Sequence, residues 1–111
     1  MYMIQLYDDL QNQLVEFKPL EEGKVRMYVC GPTVYDSPHL GHARSAVAFD
    51  LIRKYLEYRG YHVKYIQNYT DVDDKMINRA YLRDISIQEL AQQYIEEWEL
   101  MQEKLNIAPP T

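Results

Sequence analysis

The sequence predicts an α/β fold: a parallel β-α-β unit with a small N-terminal β-hairpin and C-terminal helices. Residues 24–30 alternate polar and apolar side chains and then end apolar, which is typical of a strand. Between residues 43 and 59 apolar side chains recur every fourth position, which is typical of an amphipathic helix. Residues 61–67 are rich in β-branched and aromatic side chains, which favours a second strand.

The flanking elements follow from shorter signals. Two strand-like runs, 3–7 and 14–17, are separated by polar residues and predict a hairpin. Asp73 or Asp74 is placed to cap a short helix that ends near residue 83. The run 86–89 has the capping-box pattern and predicts a long helix towards residue 104, which Asn106 and the following prolines end.

Composition limits the classes of function. The 111 residues suffice for one small domain, and a single cysteine cannot form an internal disulfide, so a cytosolic location is expected. No segment reaches the about 20 apolar residues of a membrane span. The net charge of −5 predicts little nucleic-acid binding through a broad basic face.

Parallel pairing of the two predicted strands places their ends at one edge of the sheet. The loops after Cys30 and after Gln67 should therefore face each other, which is where open α/β sheets bind ligands. Residues distant in sequence converge there, namely Cys30, His39, His42, Thr70 and Asp71.

His39, Gly41 and His42 surround the predicted start of the helix. Unpaired N–H groups and partial positive charge at a helix N-terminus attract phosphate, and imidazoles there can donate hydrogen bonds to a phosphoryl group. Gly41 would let a flat base or ribose lie against the backbone. The structural alternative is that His39 caps the helix and His42 packs against the loop.

Cys30 has two interpretations. It is either an inert residue of an apolar strand or a thiolate ligand for zinc at the strand end. Cys30, His39 and His42 have poor spacing for zinc, so we expect no metal binding by this chain alone. The acidic run 68–75 lacks the glycine and terminal glutamate of a calcium loop, and Thr70 and Asp71 are instead candidates to meet an amine or hydroxyl.

The sequence resembles a known family, cysteinyl-tRNA synthetase. The resemblance lies in the run 27–36, in His39-Leu40-Gly41-His42 and in the run 70–75, and it extends from about residue 4 to residue 106. It implies a class I synthetase that activates cysteine with ATP and transfers it to tRNA. Residues 1–111 would be the truncated N-terminal half of its Rossmann-like catalytic domain.

The resemblance also implies roles for particular residues. His39 and His42 would be catalytic, and Pro32, Thr33, His39, Gly41 and His42 would hold ATP. Cys30, Gly31, Thr70 and Asp71 would contact the cysteine substrate, with Cys30 as one ligand of a zinc ion that binds the substrate thiolate. The other zinc ligands and the Lys-Met-Ser-Lys-Ser loop would lie downstream, so this chain alone is expected to be inactive. Leu40 replaces the signature's usual isoleucine.

Alternative functions remain open from sequence. A ligase that joins cysteine to an amino sugar shares the signature, and so do small nucleotidylyltransferases with a His-x-Gly-His motif, although these need a further basic motif near the C-terminus. A non-enzymatic module that binds a nucleotide or a protein is the third. Truncation would leave sheet edges and the face of the helix 86–104 uncovered, and such surfaces predict self-association.

Overall fold

A computed structural model describes residues 3–111. Four strands and three helices follow one another in the order expected from the sequence. They are β1 (Gln5–Asp8), β2 (Gln13–Glu16), β3 (Lys24–Val29), α1 (Leu40–Tyr58), β4 (His62–Gln67), α2 (Asp74–Arg83) and α3 (Ile87–Lys104). The mixed α/β class, the hairpin and the C-terminal helices are confirmed.

The central unit is a parallel pair of strands joined by α1. β3 and β4 pair in parallel from Lys24 opposite His62 to Val29 opposite Gln67. Val25 and Val63 point to the same face, where they bury against Leu56 of α1. Gly60 has a φ of +95°, a left-handed conformation that suits glycine and lets the chain turn from α1 into β4.

The hairpin is antiparallel, with Gln5 opposite Glu16 and Asp8 opposite Gln13. The predicted strands 3–7 and 14–17 are each displaced by one or two residues. Local side-chain chemistry explains the shift, because the Asp8 carboxylate accepts a hydrogen bond from the backbone N–H of Leu10 at 2.9 Å and fixes the turn after residue 8. Asn12 closes the turn with a φ of 55°.

Both C-terminal helices begin at side-chain caps. The Asp73 carboxylate accepts from the N–H of Met76 at 2.8 Å, and the Ser86 hydroxyl accepts from the N–H of Glu89 at 3.1 Å. The predicted bounds of these two helices are confirmed. Met76 and Leu90 are fully buried between the helices, together with Val34 from the loop after β3.

A third cluster connects α1, α3 and the C-terminal tail. Ala46, Trp98 and Ile107 bury together, and the tail is held to α1 by Asp50, whose carboxylate accepts from the N–H of Ala108 at 3.1 Å. Lys54 pairs with the same carboxylate at 2.6 Å. Among residues 3–111, no helix has the length and apolar character needed to cross a lipid bilayer.

Candidate functional site at the strand ends

The loops that leave β3 and β4 are hydrogen-bonded to each other. The N–H of Gly31 donates to Oδ1 of Asn68 at 2.7 Å. Further along, the N–H of Thr70 donates to the carbonyl of Pro32 at 3.0 Å and the N–H of Val34 donates to the carbonyl of Thr70 at 3.1 Å. These bonds extend the parallel pairing beyond the strands, and the prediction that the two loops face each other is confirmed.

Gly31 permits this close approach. A Cβ atom built at Gly31 would lie 1.7 Å from the backbone carbonyl oxygen of Asn68, far inside contact distance. The glycine is therefore required by the neighbouring backbone. It also leaves the backbone of residue 31 accessible from the cavity described below.

His39 and His42 cap the N-terminus of α1 reciprocally. Nδ1 of His39 accepts from the N–H of Gly41 at 3.0 Å, and Nδ1 of His42 accepts from the N–H of His39 at 3.0 Å. The helix consequently begins at Leu40, earlier than its apolar periodicity indicates. The structural alternative for His39 is confirmed, but His42 completes the cap and lies ring to ring with His39 at a centroid distance of 3.9 Å.

This cap determines where each imidazole carries its proton. Because Nδ1 accepts a hydrogen bond in both rings, the proton of each neutral ring lies on Nε2. Each histidine can then donate one N–H from its outer edge. Burial lowers the pKa of His42 below its usual 6.5, and the nearby His39 lowers it further. His42 is thus a neutral donor at physiological pH.

A cavity of about 270 Å³ lies between β3, the loop after it, α1 and α3. Five residues assigned to the site from sequence line this cavity, namely Cys30, Gly31, Pro32, Thr33 and His42. The rest of its wall comes from β3, β4, α1 and α3, through Val29, Ser45, Ala46, Phe49, Gln67 and Trp98. Backbone, hydroxyl, thiol, amide and imidazole groups thus share one small open cavity with the apolar side chains of its wall.

Four of the predicted site residues lie outside this wall. His39 and Gly41 are exposed at the start of α1, next to His42. Thr70 belongs to the loop junction through its backbone, opposite Thr33. Asp71 follows Thr70 and is exposed. The contact of Thr70 and Asp71 with a substrate stays a prediction.

Sequence reasoning missed Trp98 as part of the site. Its ring is 5% exposed and meets His42 edge to face at a centroid distance of 6.0 Å. The residue lies on the buried face of α3, four residues after buried Tyr94. That spacing predicts that Trp98 is a core residue, but it does not predict that Trp98 contacts His42 of α1. Asn68 was also missed as the partner of Gly31, although its place directly after β4 was a usable signal.

The described residues do not by themselves fit a zinc site. Within residues 3–111, no three His, Cys, Asp or Glu side chains lie close enough together to hold a metal ion. Cys30 is an exposed free thiol that could supply one ligand. A protein zinc site takes at least three.

A larger cleft of about 510 Å³ lies between the end of α3 and the tail. It is lined by Tyr69, Glu99 and Glu103 among others, but by neither histidine nor cysteine. Burial and the neighbouring Glu99 raise the pKa of Tyr69, so its phenol stays protonated near neutral pH. Size alone does not make this cleft the reactive one.

The fold and the site define a class of protein. A solved structure, "Mycobacterium tuberculosis methionyl-tRNA synthetase in complex with methionyl-adenylate", superposes with a TM-score of 0.73 over 77% of this chain and 17% of that one. The two sequences are 24% identical, so the likeness concerns the fold. The β-α-β unit described above has the fold of a class I aminoacyl-tRNA synthetase catalytic domain.

Sequence comparison narrows the class to one family. The family model for the class I (C) tRNA synthetase catalytic domain matches residues 16–111. A cysteine–tRNA ligase of Latilactobacillus sakei is 57% identical over 109 residues, 98% of this chain and 23% of that protein. One from Fusobacterium nucleatum is 55% identical over 105 residues, 95% of this chain and 22% of that protein. The chain belongs to the class I (C) tRNA synthetase catalytic domain family, and it spans about a quarter of the length of these curated relatives.

Proposed function

We propose that this chain is the N-terminal half of a catalytic domain that activates cysteine with ATP and transfers it to tRNA. The relatives' shared name, cysteine–tRNA ligase, supports this function over the amino-sugar ligase and the small nucleotidylyltransferase. The observation that carries it is the reciprocal histidine cap at the end of a parallel sheet, which uses Nδ1 of both rings and leaves both Nε2–H groups out of the cap.

The histidines act on the phosphates of ATP. A carboxylate oxygen of cysteine attacks the α-phosphorus, and the bond from that phosphorus to the leaving pyrophosphate breaks. Negative charge grows on the phosphoryl oxygens during this step. Nε2–H of His39 and of His42, together with the positive end of α1, stabilise that charge without having to reorganise.

The loop and the start of the helix hold the nucleotide. Gly41 gives room to the ring of His39, because a Cβ atom at residue 41 would lie 2.8 Å from Cε1 of His39, and that ring covers the backbone there. Pro32 and Thr33 lie in the loop that is fixed to Thr70, which makes this side of the nucleotide site rigid. A pre-organised loop binds without an ordering cost.

The cavity beside His42 takes the amino acid. At about 270 Å³ it is slightly smaller than the about 300 Å³ at which drug-sized ligand sites begin, which suits an amino acid better than a whole nucleotide. Cys30 and Gly31 contact this substrate from the cavity wall. Thr70 and Asp71 meet its ammonium group from the loop after β4.

Cys30 is the candidate zinc ligand among the described residues. The thiol would be one ligand of an ion whose other ligands come from outside the described residues. A free thiol in a lone cysteine suits a reducing compartment, so we propose the cytosol as the location.

The test is calorimetric titration of this chain with a non-hydrolysable cysteinyl-adenylate analogue. We expect binding that H39N and H42N each weaken about tenfold, as loss of one hydrogen bond to a charged group predicts. Asparagine keeps an acceptor near the Nδ1 position, so the cap and the fold are preserved while the Nε2 donor is lost. The matched control is H62N at the start of β4, distant from the cap.

Equal affinity of H42N and the parent chain would overturn the assignment of the histidines. In the same preparation we expect no cysteine-dependent exchange of pyrophosphate into ATP. Measured exchange by this chain alone would contradict the proposal that it is half of the catalytic domain.

A further inference from the structure

Three cations form a stripe along one face of α2. Lys75, Arg79 and Arg83 are each four residues apart, which places them on one side of the helix at intervals of about 6 Å along its axis. We call these residues the α2 stripe. The acidic Asp74 lies about a quarter turn away from Lys75, and Asp73 uses its carboxylate to cap the helix. A chain of net charge −5 thus concentrates positive charge on one helix face.

Aromatic rings support the stripe from below. The ammonium of Lys75 and the guanidinium of Arg79 lie 5.2 Å and 5.9 Å from the centre of the Tyr35 ring. The guanidinium of Arg83 lies 5.5 Å from the centre of Tyr94. These contacts hold the cations in place by cation–π attraction without neutralising them.

The charges of the stripe are largely uncompensated. Arg79 approaches Asp36 at 3.5 Å, a partly exposed contact of small energy. Neither Lys75 nor Arg83 has a carboxylate within ion-pair distance among residues 3–111. Positive charge on this face therefore remains available to an anionic partner.

The stripe is continuous with the candidate site. Tyr35 belongs to the loop between β3 and α1, which runs from Cys30 to the His39 cap. The adjacent Val34 anchors this loop in the core between α2 and α3. A long anion that lies along the stripe would therefore reach the loop that holds the cavity.

We propose that the α2 stripe contacts the phosphates of an RNA strand whose 3′ end enters the site. The inference rests on the proposed function, because transfer requires a terminal ribose hydroxyl of tRNA to reach the activated carboxyl group. Charge complementarity supports RNA, since regularly spaced cations match a regularly spaced polyanion. The contacts are sequence-independent and position the strand.

The test is fluorescence anisotropy with a labelled single-stranded RNA ending in CCA, titrated with the 111-residue chain at several salt concentrations. Three phosphate contacts predict a log–log salt slope of about −2, at about 0.7 per contact for single strands. The variant K75Q/R79Q/R83Q should weaken binding at low salt at least tenfold and bring the slope close to zero. Circular dichroism verifies that it folds.

The matched control is K18Q/K64Q/K104Q, which removes the same charge from the hairpin side, β4 and the end of α3. It should retain the salt slope and lose less than threefold in affinity. Equal losses of RNA affinity in both triple variants, or no salt-dependent RNA binding by the parent chain, would overturn the proposal that the α2 stripe binds RNA. The stripe would then be assigned to an acidic protein surface. Calorimetric titration with the adenylate analogue does not depend on RNA binding by the α2 stripe. The two experiments therefore distinguish an error in the RNA proposal from an error in the proposed function.

Discussion

Gly31 shows how one residue positions the site. Its missing side chain allows the loops after β3 and β4 to join, and its N–H is held by the side chain of Asn68. Because the neighbouring atom is a backbone oxygen, rotation of a side chain cannot relieve a clash there. The position therefore tolerates only glycine.

We expect Gly31→Ala to destabilise the chain by about 3 kcal/mol or more, at the upper end of the cost of overpacking, because two loop backbones must separate. Loss of the cavity should accompany the loss of stability. Thermal unfolding followed by circular dichroism measures the first effect. Ser37→Ala in the exposed part of the same loop is the control and should change the melting temperature little. An unchanged melting temperature for Gly31→Ala would show that the loops do not meet as described.

At the scale of elements, local patterns predicted most of the fold. α2 and α3 have the bounds expected from their caps and periodicity, because Asp73 and Ser86 determine their own helix starts through local hydrogen bonds. The hairpin was displaced because the Asp8 turn competes with the alternation of the flanking residues. The start of α1 was placed too late because histidine is an unusual cap residue.

The sequence predicts those parts of the candidate site whose residues lie close together along the chain. Cys30 and His42 are predicted because a strand end and a helix start are close in sequence, whereas Thr33 is predicted only by the family resemblance. Trp98 could not be found in this way, since its contact with His42 depends on how α3 packs against α1. Tertiary packing, which no local period encodes, supplies that wall of the cavity.

The packing of α3 on α1 has a pH-dependent consequence. The pKa of His42 is lowered in the folded chain, so the unfolded chain takes up a proton first as the pH falls below about 6.5. Stability contributed by neutral His42 is therefore present above pH 6.5 and declines as the pH falls from there to the lowered pKa. We expect urea unfolding, followed by the emission of the single tryptophan, to show this loss.

Two histidine variants separate this effect from general acid sensitivity. In H42N the loss of stability just below pH 6.5 should shrink, while H62N should behave as the parent chain. Protonated imidazole quenches indole fluorescence, so Trp98 emission of the folded parent chain should fall at lower pH, around the lowered pKa at which folded His42 takes up its proton. An equal loss of stability just below pH 6.5 in H42N and the parent chain would contradict the assignment of this loss to His42.

At the scale of the whole molecule, the chain has several small clusters in place of one large core. One cluster lies between α1 and the β3–β4 pair, a second lies between α2, α3 and the loop after β3, and the third joins α1, α3 and the tail. The cavity lies where the second and third clusters approach the strand ends. Ala46 and Trp98 of the third cluster line it, so its wall depends on how α3 packs against α1, and this explains why a local signature alone does not describe the site.

The same division leaves apolar surface uncovered on α1. Val47, Leu51 and Tyr55 lie four residues apart, and each remains at least 46% exposed. Together with Ile4 and Leu6 of the hairpin side, Leu51 and Tyr55 line an apolar groove of about 370 Å³. Soluble monomers rarely expose a continuous apolar patch of this kind. The sequence predicts self-association through the sheet edges and the face of α3, whereas this exposed patch points to α1 instead.

We predict that the average mass of the chain measured by light scattering rises with concentration, because two copies can cover their α1 faces against each other. Leu51→Glu, at a position 67% exposed, should suppress this rise without loss of the fold, since the carboxylate remains in solvent in the monomer. Leu20→Glu, at a leucine 98% exposed outside the α1 face, should leave the rise unchanged. A constant monomer mass at all concentrations, or equal suppression by both substitutions, would show that the α1 face does not cause association.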